Sequence, residues 1–233
     1  MLMSDPVTVD IRNGIATLTM DDGKANALAL TLTRAVDAGL DRAAEEAKVI
    51  VIKGRPGILS AGFDLRVIRG DDAAAKQEMR DTGFALMQRL YMSPQPIIMA
   101  CEGHAVAGGA VLLLTADERI GIQGDHKIGL NEVAIGMPLP VAIIELARDR
   151  LAPDALSQAI LSSRIYGPEE AVRVGFLDQA VAAQDLDAAV AARAESLLET
   201  DLAAFAETKR RMRQPIIDRM RTASPLGRAF AAE

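Results

Sequence analysis

Two short segments hold the residues best placed to do chemistry. They are Ser60-Ala61-Gly62-Phe63-Asp64-Leu65 and, further along, Gly103-His104-Ala105-Val106-Ala107-Gly108-Gly109-Ala110. Each closes an expected strand and opens an expected helix, and each is built of small residues that let a ligand approach bare backbone. Two such turns side by side would aim two peptide N–H groups at one oxygen. That is an oxyanion hole, and it implies chemistry on a carbonyl. Taken alone, each turn has a plainer explanation. Two glycines opening a helix cost roughly 1 kcal/mol each relative to alanine, and close strand–helix packing is reason enough for a lone Gly-Gly. Asp64 reads as an N-cap for a helix beginning at Leu65.

The elements that must position these turns alternate along the chain. Val7–Arg12 and Ile15–Met20 are β-rich and flank Asn13-Gly14, a strong hairpin signal. A helix is predicted from about Thr31 to Ala47, a buried strand at Val49–Ile52, and a long helix from Asp72 to Tyr91. Ser93-Pro94-Gln95-Pro96 stops that helix. A second buried strand follows at Ile97–Ala100, then a helix at Ala107–Thr115 and a strand at Arg119–Ile122. From Pro138 onward the pattern reads as almost entirely helical, broken at Pro153, Gly167-Pro168 and Gly175. The expectation is an α/β core over residues 1–185 with a helical region at 186–233.

Bulk composition narrows the function classes. The chain has 233 residues, half of them apolar but only 3% aromatic, so the core must be largely Ala, Val, Leu, Ile and Met. A net charge of -6 argues against nucleic acid. The run Lys209-Arg210-Arg211-Met212-Arg213 is a local exception, read as a solvated helix face that could also meet an anion. The single cysteine, Cys101, allows no intrachain disulfide and reads as a buried small hydrophobe. With two histidines and no partner cysteines, no metal site is expected. The opening residues predict no signal peptide, and the longest nearly apolar run, Ala105–Ala116, is too short to span a bilayer. A cytoplasmic protein is expected.

Taken in order, the motifs resemble the crotonase, or enoyl-CoA hydratase/isomerase, superfamily. The resemblance runs through the opening hairpin, Lys24-Ala25-Asn26-Ala27-Leu28, Ser60–Leu65, Pro96–Ala110, Gly129-Leu130-Asn131-Glu132 and Ala171–Asp178. It implies a crotonase-like (ClpP/crotonase) α/β spiral of ββα units, with a C-terminal helical region used for trimerisation. It also implies that the N–H groups of Phe63 and Gly108 hold the thioester oxygen of an acyl-CoA. Lys24, Ala25, Ala27, Ala61, Asp64 and Leu65 fall where the family holds the CoA moiety. CoA is then part of the substrate, with no permanently bound cofactor, and the assembly is a homotrimer or a dimer of trimers. Lys209 or its arginine neighbours would lie near a CoA phosphate.

The carboxylates depart from the family's hydratases, which use two glutamates. An ungapped match puts Val111 at the first position and Glu132 at the second. Hydrating a double bond divides activation of water and delivery of a proton between two acids, and losing one typically costs ~10²–10⁴ in rate. Moving a double bond from the 3- to the 2-position needs one base beside an oxyanion hole. The Gly-Leu-Asn-Glu segment is also similar to that of the family's Δ3,Δ2-enoyl-CoA isomerases. The expectation is therefore isomerisation in fatty-acid metabolism, with Glu132 as proton shuttle in a pocket that raises its pKa. The alternatives are hydration by Glu132 with a second group such as Glu102, or a non-catalytic acyl-CoA binder. Leu65, Ile68, Met79, Phe84, Met87 and Val111 are candidates for an acyl-tail pocket, though helix packing explains them equally well. His104 is expected to bond backbone, His126 to sit in a surface loop, and Asp117 and Glu118 to flank a strand. Ser60 lacks the elbow and histidine that a serine nucleophile needs.

Overall fold

A computed structural model describes residues 5–223. The chain opens with the expected hairpin, β1 (Val7–Arg12) and β2 (Ile15–Met20), turned by Asn13 and Gly14, both at positive φ. Helix α1 (Leu30–Glu46) leads to β3 (Val49–Lys53), and a tight connection leads to β4 (Gly57–Ser60). After the short α2 (Leu65–Arg69) and long α3 (Ala73–Met92) come β5 (Ile97–Cys101) and β6 (Gly103–Val106). Helix α4 (Gly108–Thr115), β7 (Glu118–Ile122) and the two-residue β8 (Ile128–Gly129) follow.

Two sheets result. The larger has the order β1-β2-β3-β5-β7-β9, antiparallel at the hairpin and parallel thereafter. The smaller is parallel, in the order β4-β6-β8. The central strands are buried on both faces, which is why they read as unbroken apolar runs. Ile50, Ile52, Ile97 and Met99 face the main core beneath α1, α3 and α4. Val49, Val51, Ile98 and Ala100 face Leu186, Val190, Ala194 and Leu197 of α8 (Leu186–Leu198).

The last third is less uniformly helical than its pattern suggests. Helices α5 (Val141–Arg150), α6 (Leu156–Ile160) and α7 (Pro168–Val174) are present, but β9 (Gln179–Val181) then joins the edge of the larger sheet. Three residues beginning with glutamine carry no readable periodicity, and pairing with β7 creates the strand.

The final helix, α9 (Leu202–Ala223), corrects the reading of the basic run. Lys209 and Arg213 are 5% and 4% exposed. Both pair with Asp117, at 2.6 and 2.8 Å, and the Arg213 guanidinium lies 4.3 Å from the Tyr91 ring centre. Arg210 and Arg211 are the solvated members, paired with Glu207. Lys209 is therefore a structural cation under the sheet, not a phosphate contact. No helix among the described residues is long and apolar enough to cross a membrane.

Candidate active site

The loop carrying Lys24, Ala25 and Ala27 is fixed by its own polar residues. Asp22 accepts the N–H groups of Lys24 and Asn26, both at 2.8 Å, and that of Ala27 at 3.1 Å. Asn26, fully buried at φ 48°, donates its amide to the carbonyls of Met20 and Leu59. The Ser60 hydroxyl donates to Asn26 O at 2.7 Å and accepts Gly62 N–H at 3.1 Å, so it is occupied in holding the loop. Ala61 N donates to Ala25 O, and Leu28 N donates to Gly62 O. The candidate CoA residues of the two segments thus lie along one seam. Asp64 caps α2 as expected, accepting Arg66 N–H at 2.9 Å, and the Arg66 side chain holds its carboxyl below the usual range.

The Gly-Gly pair divides two tasks. A Cβ on Gly109 would lie 2.7 Å from the Ser60 carbonyl carbon, so this glycine permits close packing. Gly108 faces the other turn. A Cβ on Gly62 would lie 2.7 Å from Gly108 N, and one on Gly108 would lie 3.5 Å from Phe63 N. The two amide nitrogens are therefore close neighbours. Gly108 opens α4, where an N–H has no partner within the helix. Among the described residues, neither the Phe63 nor the Gly108 N–H enters a turn, loop or cap hydrogen bond. Ala107, just before, is held at φ 54°, a conformation costing of order 1–3 kcal/mol for a non-glycine residue. Its N–H is anchored on Gly129 O at 3.0 Å.

That bond links the amides to the candidate base. Gly129 closes β8 beside Val106, and three residues later Glu132 begins a tight turn whose Ile135 and Met137 N–H groups both donate to its carbonyl. Glu132 Oε2 is buried with no hydrogen-bond partner among the described residues. Burial pushes its pKa above the ordinary glutamate range, opposed by the nearby N–H groups of Glu132 and Asn131. Phe63, Gly108 and Glu132 line one cavity of about 410 Å³. Ile68 and Phe84 form one wall, and Met137, Leu139 and Ile143 form another.

The remaining candidates separate. Glu102 lies elsewhere, 2.6 Å from Lys53 in a polar cleft that also holds His126. It follows the inward-facing Cys101, so strand alternation turns it away from the catalytic cavity. His104 accepts Lys127 N–H at 2.9 Å and meets the half-buried His126 edge-on at 5.5 Å. Of the tail candidates, Ile68 and Phe84 line the catalytic cavity. Met87 and Val111 instead line a small apolar chamber behind it, which shares Phe84 and Ile143 with the cavity. Met79 is buried in packing and Leu65 is 41% exposed, and neither lines either space. Sequence reasoning missed Asn26 as the hub of the loop. It also missed Gly83, whose place inside α3 makes room for the Phe63 ring. A glycine interrupting a helix-favouring run was the available signal.

Two neighbouring backbone amides and the carboxyl of Glu132 thus border one cavity in an α/β fold of two sheets. The chain belongs to the enoyl-CoA hydratase/isomerase family, whose model matches residues 10–228. It is 31% identical over 172 residues to the mitochondrial enoyl-CoA delta isomerase 1 of Rattus norvegicus, covering 72% of this chain and 60% of that protein. It is 32% identical over 215 residues to a "Probable enoyl-CoA hydratase" of Rhodobacter capsulatus, covering 88% of this chain and 79% of the relative. Among solved structures, an enoyl-CoA hydratase/isomerase family protein from Pseudomonas syringae superposes with a TM-score of 0.91 at 42% identity. That match covers 95% of this chain and 96% of the other. The fold is the crotonase fold.

Proposed function

We propose that the protein isomerises 3-enoyl-CoA esters to 2-enoyl-CoA esters, with Glu132 as the single proton shuttle. The observation that carries this reading is one carboxyl whose buried Oε2 has no hydrogen-bond partner among the described residues, sharing a single cavity with two neighbouring backbone amides. The CoA moiety would lie along the seam of Lys24, Ala25, Ala27, Ala61, Asp64 and Leu65, and the thioester oxygen would accept from the Phe63 and Gly108 N–H groups. The Glu132 carboxylate takes a proton from C2, and the C–H electron pair moves into the thioester as an enolate. Donors of this kind are each worth about 10²–10³ in rate. The enolate then reforms the carbonyl as C4 takes the proton back from Glu132, leaving the double bond between C2 and C3. Glutamate ends as it began.

Support for one base rather than two comes from position 111. Val111 is 1% exposed and faces the apolar chamber, and Glu132 is the one carboxylate lining the cavity among the described residues. A hydratase would need a second group there, and Glu102 is engaged elsewhere. We also propose assembly as a homotrimer or dimer of trimers, for which Val133, Ile135 and Leu161 offer exposed apolar surface.

The test offers purified protein a 3-enoyl-CoA and a 2-enoyl-CoA in parallel, with Glu132→Ala as control. Conversion of the first, little hydration of the second, and loss of conversion in the variant are expected. Hydration that persists in the variant would remove Glu132 from its assigned role. Binding of both esters without turnover would favour an acyl-CoA binder.

A further inference from the structure

The catalytic cavity carries a second charged group that the isomerase chemistry does not use. Arg80 lines it from α3, in company with Gln77, and is its one cation among the described residues. Two other arginines on or beside this helix are committed to carboxylates. Arg34 pairs with Glu78 at 2.6 Å, and Arg89 pairs with Asp37 and Asp41. Arg80 enters no ion pair among the described residues. It donates to the Gln77 side-chain oxygen at 3.1 Å. Gln77 also donates its amide to Asp81 at 2.7 Å. One side chain therefore steadies the guanidinium and occupies the nearest carboxylate in sequence. Arg80 is an exposed residue, and its fork keeps free donors where it borders an otherwise mainly apolar cavity.

A guanidinium fork matches a carboxylate in plane and in spacing, and the charge-assisted pair is about twice as strong as a neutral hydrogen bond. An unbranched hydrocarbon tail offers it nothing and would at best slide along its methylene stem. We propose that Arg80, positioned by Gln77, reads a carboxylate at the far end of the acyl group. The site then prefers ω-carboxyacyl-CoA esters to plain fatty acyl-CoA esters. This rests on the acyl-CoA reading above and deepens it, because the cavity would hold one negative end of the substrate at Arg80 and its reacting carbons at Glu132.

Calorimetric titration with saturated esters tests recognition without requiring turnover. Succinyl-, glutaryl- and adipyl-CoA are compared with butyryl-, pentanoyl- and hexanoyl-CoA, on wild type, Arg80→Gln and Arg80→Lys. The expected result is a preference of about tenfold for the carboxylated partner of at least one pair. That ratio falls to about one in R80Q and is partly kept in R80K. Equal affinity within every pair in wild type, or a preference that survives in R80Q, would overturn the proposal and leave the isomerase reading standing. If R80Q weakens both members of each pair equally, Arg80 serves a CoA phosphate and the proposal is again overturned. Failure of every ester to bind would defeat the acyl-CoA reading itself, and this proposal with it.

Discussion

A methyl group on Gly83 would stand 2.7 Å from Cζ of the Phe63 ring, and closer still to Cε1. The glycine in α3 is therefore a seat for the ring of Phe63, a residue whose backbone nitrogen lies close to Gly108. On its other side the ring meets Phe84, with centroids 6.2 Å apart. Gly83 thereby fixes where the Phe63 peptide can lie, although it contributes no group of its own.

Gly83→Ala is expected to push the ring out of its seat and move the Phe63 amide. Loss of one oxyanion donor lowers kcat by about 10²–10³, with a smaller change in KM. Alanine also restores roughly 1 kcal/mol of helix propensity, so thermal stability should change little. Steady-state kinetics beside a melting curve separates the two effects. An unchanged kcat would show that Phe63 does not depend on this seat.

Glu132 links activity and stability with opposite signs. Its folded pKa lies above the ordinary range because burial penalises the charged form. The fold therefore favours the protonated acid, and the stability it contributes falls as pH rises from the ordinary glutamate range through the raised value. Glu132→Gln should melt higher than wild type at neutral pH, with the difference closing in acid. The same variant should lose about 10²–10⁴ in rate. In wild type, kcat/KM should fall on the acid side with a midpoint above that of an ordinary glutamate. A Gln variant that melts lower at neutral pH would contradict this account.

What the sequence made legible follows from the size of each signal. Asn13-Gly14 announces its hairpin because the turn needs two positive φ angles, and both residues adopt them. Phe63, Gly108 and Glu132 were each identifiable within their segments. That they share one site was expected from the paired turns and the family resemblance rather than from strand patterns, because β4, β6 and β8 are four, four and two residues long, too short to show periodicity. The basic run misled for a related reason. Lys209 and Arg213 are four residues apart and share the buried face of α9, while Arg210 and Arg211 point outward. Four neighbouring cations look uniform until the helix separates them. Arg80 and Gln77 carried no signal at all, since their meaning comes from the cavity they border.

Asp117 is the counter-charge that makes the buried cations tolerable. It accepts the Ile97 N–H at 2.8 Å as well as pairing with Lys209 and Arg213. Asp117→Asn would leave two buried cations without their anion, a change expected to cost about 3–5 kcal/mol. Lys209→Met leaves the Arg213 pair in place and should cost less. Chemical denaturation of both variants checks the order. Activity per folded molecule should be little changed, since neither residue borders the catalytic cavity.

Val111 provides the sharpest test of a one-base site. It lies on α4 with 1% exposure and lines the chamber that Met87, Tyr91, Ile217 and Met220 also line. That chamber holds about 30 Å³ and presents apolar surface. A carboxylate placed there meets no donor, stays protonated at neutral pH, and crowds a space too small for it. Val111→Glu is expected to lose about 3 kcal/mol or more of stability and to gain no hydration of 2-enoyl-CoA. Val111→Gln separates volume from charge: if the two variants are equally destabilised across pH, crowding dominates, and if the Glu variant worsens as pH rises, ionisation does. Product analysis on whatever Val111→Glu protein folds completes the test. Appearance of the 3-hydroxyacyl product would show that this scaffold needs only a second acid to hydrate, and that its apolar α4 face, rather than the geometry around Glu132, sets the reaction.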